Sequence, residues 1–542
     1  MILDKIRENL KSGLTVSLIS IPLSVSLAVS SGVTPVVGIM TAIWAGIIAA
    51  IFGGSNFNIV GPTGALSGII AAYVILHGMT GLPIVAVLVG IFILIAYVLK
   101  LERYLILIPS SVIHGFTLGV AFIIGLGQFN FAFGLKNLPA HESLLLNMFE
   151  SVKHIGSSSV LTLFVFLMFL IGLLMFKKFT PKLPGAIILA PIGILTGYLS
   201  ERSIIPVVLQ TLGSKFGEIS FHFFEIPHFQ FTFDMIETAA VIALVAILET
   251  LLSAKIADGM TATKHNERKE MLGLGLANIV SGLVGGMPAT AALARTSLNI
   301  KTGATHKTSA IISSICIAII SVIFLCYFKY IPLAVIASIL VYVAIQMVEQ
   351  EHYKKLWKYE RFGFYVSIFV AIVTIVIDPI TGILFGVSVS LLAFVDRISK
   401  GHFEAHVNKF EAGIVDTVSG VDISEIKEDG DVLVYSFKGK LCYINSRSHL
   451  GRFEANFKKY KSIILRLREV YFIDADGIEA LDEIIDIVEA RGQKVLLSGI
   501  SQNTKDLLEQ LSSGYKKIKA KGLIFEKSEQ GLIHLGVKTR NQ

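Results

Sequence analysis

Charged residues are scarce in this chain: Asp, Glu, Lys and Arg make up only 16% of its 542 residues, whereas 53% are hydrophobic. Soluble domains carry about 25% charged residues, so this composition excludes a chain that is soluble throughout. The three cysteines, Cys316, Cys326 and Cys442, match neither a disulfide framework nor a metal-ligand motif. P-loops and Ser-His-Asp arrangements are also missing, so nothing in the sequence indicates ATP hydrolysis or another enzymatic activity.

Long apolar runs fill residues 1–400, whereas residues 401–542 have the composition of a soluble domain. A helix needs roughly 20 apolar residues to cross the hydrocarbon core of a membrane. Runs of suitable length lie at 13–30, 34–53, 81–100, 109–128, 158–176, 184–200, 232–256, 270–287, 308–328, 332–349, 361–378 and 380–397. The first run follows a basic start, like that of a signal peptide, but it lacks a small-residue cleavage site and reads as a retained span.

Two shorter apolar segments, 62–77 and 288–300, begin with Pro among small residues, and each stands third in its half of the chain. Counting both gives fourteen segments in two repeats, at about 10–200 and about 230–400. Lys and Arg then gather in the loops of one side, which places those loops and both termini in the cytoplasm. This bias explains the net charge of +7 without a nucleic-acid partner. We predict a polytopic α-helical membrane protein.

Paired interrupted helices are typical of the midplane binding site of a transporter. A helix that begins inside the membrane directs free N–H groups and a positive dipole end at a ligand, and small residues let that ligand reach the backbone. The residues that fit this description are Thr63, Gly64, Ala65, Ala291 and Ala292. Arg295 adds a permanent charge that costs about 2.5 kcal/mol or more at the bilayer centre, which an anion would offset. The sequence therefore predicts an anion site; the alternative is that Gly and Pro only kink two packed helices.

Glu249 is a carboxylate inside the apolar run 232–256, and its function is open. It would form a structural ion pair with Arg295, or bind sodium with the Ser253 hydroxyl one turn on and carbonyl groups of the second short segment, or carry a proton. The sequence alone does not choose among these three. The charged stretch "KHNERKE" (264–270) reads as a solvated inner loop.

The last part of the chain alternates strand-like and helix-like segments, which predicts a small α/β domain with a mixed sheet over 431–542. The predicted strands are 431–439, 462–470 and 494–500, and the predicted helices are 445–460, 476–492 and 503–511. Residues 401–430 are expected to form a linker with one strand that leads into the domain.

The chain resembles the SulP (sulfate permease) family of inorganic anion transporters. The resemblance rests on "GPTGALSG", on "LLSAKIADGMTATKHNERKEMLGLGLANIVSGLVGGMPATAALARTSLNIKTGA" and on "YFIDADGIEAL" in the tail. It implies a seven-plus-seven inverted repeat with a core and a gate unit, a homodimer in the membrane lipid, and a cytoplasmic STAS domain. The form with "PTG" in the third segment is similar to the cyanobacterial sodium-dependent bicarbonate transporters, and Leu23 and Leu27 depart from the pattern of many sulfate-type members.

The resemblance also implies functions for particular residues. The family's anion site corresponds to Thr63, Gly64, Ala65 and the four residues Ala292, Leu293, Ala294 and Arg295. Its sodium site corresponds to Glu249 and Ser253, with Ala291 in the broken helix nearby; sodium-using members have Asp where this chain has Glu, so proton coupling stays open. No other cofactor is implied. In the STAS domain, Asp474-Ala475-Asp476-Gly477 lacks the phosphorylatable Ser of related loops, although docking of a cytoplasmic protein partner stays open.

The leading hypothesis is a secondary transporter of bicarbonate or sulfate, coupled to Na⁺ or H⁺. A nucleobase carrier of the same architecture is the nearest alternative, and Arg295 argues against it because such carriers tend to place acidic or amide groups at this position. An anion channel or exchanger, and a membrane protein whose STAS tail is the active part, are further alternatives.

Overall fold

The computed structural model describes residues 2–103, 108–136, 138–139, 141, 143–179, 185–204, 208–217, 232–421 and 430–538. The chain divides into two compact units, Met1–Ser388 and Val389–Gln542. The predicted segment 184–200 begins one residue outside the described part, and the predicted end of the STAS domain, 539–542, also lies outside it.

The first unit is helical, with two strands of two residues each. Its helices are α1 (Ile2–Ser30), α2 (Pro35–Phe52), α3 (Gly64–His77), α4 (Leu82–Val98), α5 (Ser110–Leu126), α6 (Phe129–Phe133), α7 (Leu144–Lys153), α8 (Val160–Phe179), α9 (Gly185–Glu201), α10 (Leu212–Phe216), α11 (Asp234–Thr261), α12 (Glu267–Leu283), α13 (Leu293–Lys301), α14 (Thr308–Phe328), α15 (Leu333–Met347), α16 (Gln350–Tyr359), α17 (Arg361–Val376) and α18 (Pro379–Ser399), the last of which continues into the second unit. The strands are β1 (Val60–Gly61) and β2 (Thr290–Ala291).

Each of the fourteen predicted segments coincides with a helix. Within the described residues, eight helical stretches are long and apolar enough to cross a membrane on their own, and four shorter apolar helices accompany them. The short helices α3 and α13 stand where the two interrupted segments were predicted. The helical membrane architecture is therefore confirmed, while the number of crossings stays a prediction.

In chain order, the segments of the first half form α1, α2, α3, α4, α5, α8 and α9, and their counterparts in the second half are α11, α12, α13, α14, α15, α17 and α18. Contacts between helices repeat when each helix is exchanged for its counterpart. Helix α4 packs on α12 as α14 packs on α2, and α4 packs on α11 as α14 packs on α1. In the same way α8 packs on α15 as α17 packs on α5. The antiparallel pairing of β1 with β2 shows that the two chain segments entering α3 and α13 run in opposite directions. These features are those of an inverted repeat.

The same contacts separate the helices into two groups. Helices α1 to α4 pack with α11 to α14, and we refer to this set as the core group. Helices α5, α8 and α9 pack with α15 and α17, and α18 packs on α5 and α17 through Gly382 and Gly386; this set is the gate group. The two short helices that carry the predicted anion site both belong to the core group.

The second unit contains a mixed sheet, as predicted, but with six strands in place of the four expected. Its elements are β3 (His402–Lys409), β4 (Gly413–Gly420), β5 (Val432–Leu441), α19 (Ser446–Ala455), β6 (Ser462–Ile473), α20 (Ala475–Ala490), β7 (Lys494–Ser498), α21 (Gln502–Leu511), α22 (Ser513–Ala520), β8 (Ile524–Phe525) and α23 (Ser528–His534). The strand order is β4-β3-β5-β6-β7-β8, with β5 to β8 parallel and β3 antiparallel to both β4 and β5.

The sheet begins earlier than the predicted domain boundary. We expected residues 401–430 to hold a linker and one strand, whereas two strands, β3 and β4, lie within it. Strand β4 is at the edge of the sheet and buries few of its residues, so its sequence shows little apolar alternation. Edge strands of this kind are hard to distinguish from a linker by sequence alone.

The loop before α20 is held by Asp474. One carboxylate oxygen of Asp474 accepts the Gly477 N–H at 2.9 Å and the other accepts the Tyr443 N–H at 3.0 Å. Asp476 is exposed in the first turn of α20, where a negative charge is favourable. Asp474 thus has a structural function as the helix cap, and the expectation that the loop is not phosphorylated stays a prediction.

Arg452 ties the start of the second unit to its body. Its guanidinium is buried and donates to the carbonyl groups of Lys400, Gly401 and Val421. Hydrogen bonds that involve a charged group contribute about 1.5–3 kcal/mol each.

We expect Arg452→Ala to lower the midpoint of thermal unfolding of the detergent-solubilised protein by several degrees, while Arg447→Ala, at an exposed position of the same helix, leaves it unchanged. Equal midpoints for both variants would contradict this function of Arg452.

Candidate anion site

The two short helices begin at the same two-stranded ribbon. Strand β1 leads into α3 through Thr63, and β2 leads into α13 through Ala292. The ribbon is extended by the Ala292 N–H, which donates to the Ile59 carbonyl at 3.0 Å. Two helix N-termini from opposite halves of the chain are therefore fixed next to one another inside the core group.

The first turns of α3 and α13 leave several backbone N–H groups free. Neither N-cap residue, Thr63 or Ala292, caps its helix with a side chain. Among the described hydrogen bonds, the backbone N–H groups of Gly64, Ala65, Leu293 and Ala294 have no acceptor. Unpaired N–H groups at a helix start carry a partial positive charge and bind anions. Four of the predicted residues therefore present free N–H donors, while the N–H of Ala292 is already used in the ribbon.

Arg295 lies in the first turn of α13 and is 3% exposed. Its Nη2 donates to the carbonyl of Pro62, in the segment between β1 and α3. Its Nη1 is buried and has no partner within the described part of the chain. A Cβ added to Gly61 would lie 3.0 Å from that Nη1, so a side chain there would crowd the guanidinium. One arm of the guanidinium thus fixes the ribbon, and the other remains available to a ligand.

Glu249 lies in α11 and contacts the other short helix. Its Oε2 accepts the Thr63 hydroxyl at 3.0 Å. Glu249 and Arg295 both lie in the described part of the chain, and they form no direct ion pair. The two side chains are still close enough for an electrostatic interaction. The structural ion pair that the sequence left open is thus not formed in this conformation. The positive charge of Arg295 is not neutralised by direct contact with a carboxylate.

A cavity of about 40 Å³ lies beside Glu249, between the core and gate groups. Ala65 and Glu249 line it from the core side, and apolar residues of α5, including Val112 and Phe116, line it from the gate side. A volume of this size holds about three water molecules. A Cβ on Gly64 would lie 2.2 Å from Cδ1 of Ile124 on α5, so the start of α3 also touches the gate group directly.

Ser253 does not line this cavity, and its function in binding a cation with Glu249 stays a prediction. Its hydroxyl is fully buried and lies 3.0 Å from Asn58 Oδ1 and 3.1 Å from Thr296 Oγ1. Ala291 lies outside the lining of this cavity as well, and its N–H donates to Thr250 Oγ1 at 3.1 Å. Of the three residues predicted to couple a cation, only Glu249 lines the described cavity.

A polar network that the sequence analysis missed holds the segment before β1. Glu270 is 4% exposed, although the stretch that contains it was expected to be a solvated loop. Its Oε2 accepts the N–H groups of Gly54 and Ser55, each at 2.7 Å, and its Oε1 accepts Asn58 Nδ2 at 2.7 Å. The position of Glu270 at the first turn of the apolar helix α12 was the signal that could have indicated its burial.

The segment before β2 is held in a comparable way. Asn278 of α12 donates to the Ala289 carbonyl at 2.9 Å and accepts the Ala289 N–H at 2.8 Å. Thr41 of α2 accepts the Met287 N–H at 2.8 Å. Because buried backbone groups need partners, these side chains replace the bonds that an uninterrupted helix would make.

We expect Glu270→Ala to destabilise the core group strongly. The substitution removes the acceptor of the part-buried Gly54 N–H, the buried Ser55 N–H and one hydrogen bond of the Asn58 amide, and each loss of a buried bond costs about 1–3 kcal/mol. Thermal unfolding in detergent measures the effect, with Glu267→Ala as the control, because Glu267 is exposed in the same turn of α12. A midpoint for Glu270→Ala equal to that of the control would show that the network does not support the site.

Comparisons with known proteins agree with this architecture. The Sulfate permease family model matches residues 6–370, and the STAS domain model matches residues 424–521. A putative sulfate transporter of Bacillus subtilis, YvdB, is 31% identical over 95% of both chains. The bicarbonate transporter BicA of Picosynechococcus is 26% identical and covers 93% of this chain and 91% of its own.

Two solved structures are similar in fold. Murine Slc26a9, an anion transporter in the inward-facing state, has a TM-score of 0.81 at 17% identity and covers 98% of this chain and 91% of its own. The transmembrane domain of a cyanobacterial BicA has a TM-score of 0.59 at 23% identity and covers 70% of this chain and 97% of its own. At these identities the likeness concerns the fold.

Proposed function

The chain belongs to the sulfate permease family, and we propose that it is a secondary transporter of a small inorganic anion, bicarbonate or sulfate. The names of its relatives support both anions, since YvdB is named as a putative sulfate transporter and BicA as a bicarbonate transporter. The proposal assigns no enzymatic activity to the chain. The anion would bind at the starts of α3 and α13.

The observation that carries this proposal is the free Nη1 of Arg295 beside two helix N-termini. A buried guanidinium with an unused donor and no directly paired carboxylate is unfavourable unless a negative charge binds there. The free N–H groups of Gly64, Ala65, Leu293 and Ala294 supply further donors. All of these groups donate hydrogen bonds, so the site favours an oxyanion and disfavours a nucleobase, which presents donors as well as acceptors.

Alternating access would come from movement of the core group against the gate group. The free N–H groups and Arg295 all belong to the core group, so the anion would travel with it. The gate group contributes an apolar surface that includes Val112, Phe116 and Ile124. Displacement of that surface would open the cavity beside Glu249 to water on one side of the membrane. The apolar wall fits a carrier with an occluded state, in preference to a channel.

Glu249 would couple transport to a cation. It faces the cavity and accepts a hydrogen bond from Thr63, whose backbone directly precedes the free N–H groups of α3. A sodium ion near the Glu249 carboxylate, or a proton on it, would change the charge beside the anion site. Since Ser253 does not line the cavity, a sodium ion held there by Glu249 would need oxygen ligands other than the Ser253 hydroxyl in this conformation.

The location and assembly of the chain are part of the same proposal. We propose a multi-pass protein of the cell membrane with both termini in the cytoplasm, because this orientation places the Lys- and Arg-rich loops inside. We also propose a homodimer and a cytoplasmic STAS domain that stabilises it or binds a protein partner. The proposed boundaries are 1–400 for the transport domain and 431–542 for the STAS domain, with the two strands of 401–430 joined to the latter.

Uptake of radiolabelled anions into proteoliposomes tests the proposal. Bicarbonate and sulfate are each supplied under an inward sodium gradient, an inward proton gradient or neither. Saturable uptake of one anion that needs a gradient supports a secondary transporter. Uptake independent of any gradient indicates a channel or exchanger, and uptake of a nucleobase without either anion would overturn the anion site. No transport of any solute would favour a membrane protein whose STAS tail is the active part.

A further inference from the structure

Two histidines and a glutamate meet at one end of the gate group. His114 lies in the first turns of α5, whereas Glu349 and His352 lie where α15 ends and α16 begins. One ligand atom of each, an imidazole nitrogen or a carboxylate oxygen, lies within 4.8 Å of the other two. Nothing in the proposed anion pathway uses these side chains. The positive-inside assignment places them on the cytoplasmic side.

The geometry of this cluster suits a transition metal. His114 Nδ1 lies 3.5 Å from Glu349 Oε2, and the rings of His114 and His352 stack with centroids 3.6 Å apart. Two ligands of one tetrahedral zinc ion, each bound at about 2.0–2.1 Å, are separated by about 3.4 Å. The His114–Glu349 distance matches this spacing. The His352 ligand nitrogen lies within 4.8 Å of the other two ligand atoms, so binding of one ion by all three would require His352 to rotate out of its stack on His114.

The hydrogen bonds of the cluster leave its ligand atoms available. His352 Nε2 is buried and has no hydrogen-bond partner in the described part of the chain. Glu349 stands at the N-cap position of α16, yet its side chain does not cap the helix. The Tyr353 hydroxyl donates to the carbonyl of His114 at 2.8 Å and so fixes the backbone of one ligand against the helix that carries another.

We propose that His114, Glu349 and His352 bind a transition-metal ion, zinc foremost, that pins α5 to the junction of α15 and α16. Two imidazoles and one carboxylate form a ligand set that binds zinc well and leaves a fourth position for water. Calcium and magnesium prefer oxygen ligands and are disfavoured by the two imidazoles.

The position of the site gives the metal a mechanical consequence. His114 directly follows Val112 and Ile113, which line the cavity beside Glu249, and Glu349 lies two residues after Met347, which lines it too. A bound ion would hold these two walls of the cavity at a fixed separation. We therefore expect zinc to stabilise the gate group and to slow any transport that requires α5 to move relative to α15.

Metal binding is measured on the purified full-length protein, after removal of metal with a chelator, by calorimetric titration with Zn²⁺. We expect one saturable site per chain, with affinity at least tenfold weaker in His114→Ala, His352→Ala and Glu349→Gln. His154→Ala is the matched control, because His154 also lies beside a carboxylate, that of Glu150, at 3.2 Å and outside the cluster.

A second measurement keeps the test independent of transport. Zn²⁺ should raise the thermal unfolding midpoint of the parent protein and of His154→Ala, but not that of His352→Ala, because only a folded site binds the ion. Unchanged zinc affinity in all three cluster variants, or no saturable binding by the parent, would overturn the proposal. Since neither readout involves an anion, failure of the metal site and failure of the transport proposal are distinguishable.

Discussion

Arg295→Ala is expected to lower anion uptake by about 100-fold, whichever anion the protein carries. Arg295 combines the free Nη1 with the bond to Pro62, so alanine removes both the charge that faces the ligand and a support of the ribbon. Charge-assisted hydrogen bonds contribute about 1.5–3 kcal/mol each, and about 2.7 kcal/mol corresponds to a 100-fold change. Initial rates of radiolabelled uptake into proteoliposomes measure the effect.

Two further variants separate charge from geometry at this site. Lys301→Ala removes a positive charge from an exposed position at the other end of α13 and should transport like the parent. Arg295→Lys keeps a charge but cannot donate to Pro62 and to the anion with the same fork, so we expect partial activity. If Arg295→Ala transports as well as Lys301→Ala, the proposed anion site is wrong.

Glu249→Gln is expected to abolish the dependence of uptake on a cation gradient. The amide is nearly the same size as the carboxylate and can still accept the Thr63 hydroxyl, so the fold should be kept. An amide carries no charge and takes up no proton at physiological pH, so neither a sodium ion nor a proton would be driven through the site. Uptake is compared with and without sodium and proton gradients, and we expect gradient-driven accumulation to fall by at least tenfold.

The matched control for this substitution is Glu237→Gln. Glu237 lies in the first turn of the same helix, α11, and is exposed. It should retain the coupling of the parent. Gradient-driven accumulation by Glu249→Gln at the rate of the parent would show that the coupling group lies elsewhere. Loss of sodium dependence alone would identify sodium as the coupling ion, and loss of proton dependence alone would identify the proton.

The main features of the site could be predicted because they depend on local sequence. Pro among small residues at matching places predicted both short helices, since such residues interrupt an apolar helix and leave its backbone accessible. The burial of Arg295 followed from its place in an apolar half of the chain. These inferences needed no knowledge of which residues are neighbours in space, and the structure places Gly64, Ala65, Leu293 and Ala294 around the same ribbon.

The partners of buried hydroxyls and carboxylates could not be predicted in this way. Ser253 stands one turn after Glu249, but its hydroxyl bonds to Asn58, which is 195 residues away in sequence. Glu270 ends a run of charged residues and looked solvated, whereas its carboxylate is buried against a segment more than 200 residues earlier. Such contacts depend on how the two repeats pack together. The edge strand β4 escaped prediction because it has few buried residues.

Protection of an engineered thiol tests the location of the anion most directly. In a protein whose Cys316, Cys326 and Cys442 are replaced by Ser, Ala65→Cys places a thiol at the cavity beside the free N–H groups, and Ala72→Cys places one two turns further along α3 as the control. The rate of alkylation by a small anionic thiol reagent is measured with and without the transported anion. The account predicts that the anion slows alkylation at position 65 and leaves position 72 unaffected. Equal rates at position 65 with and without the anion would contradict it.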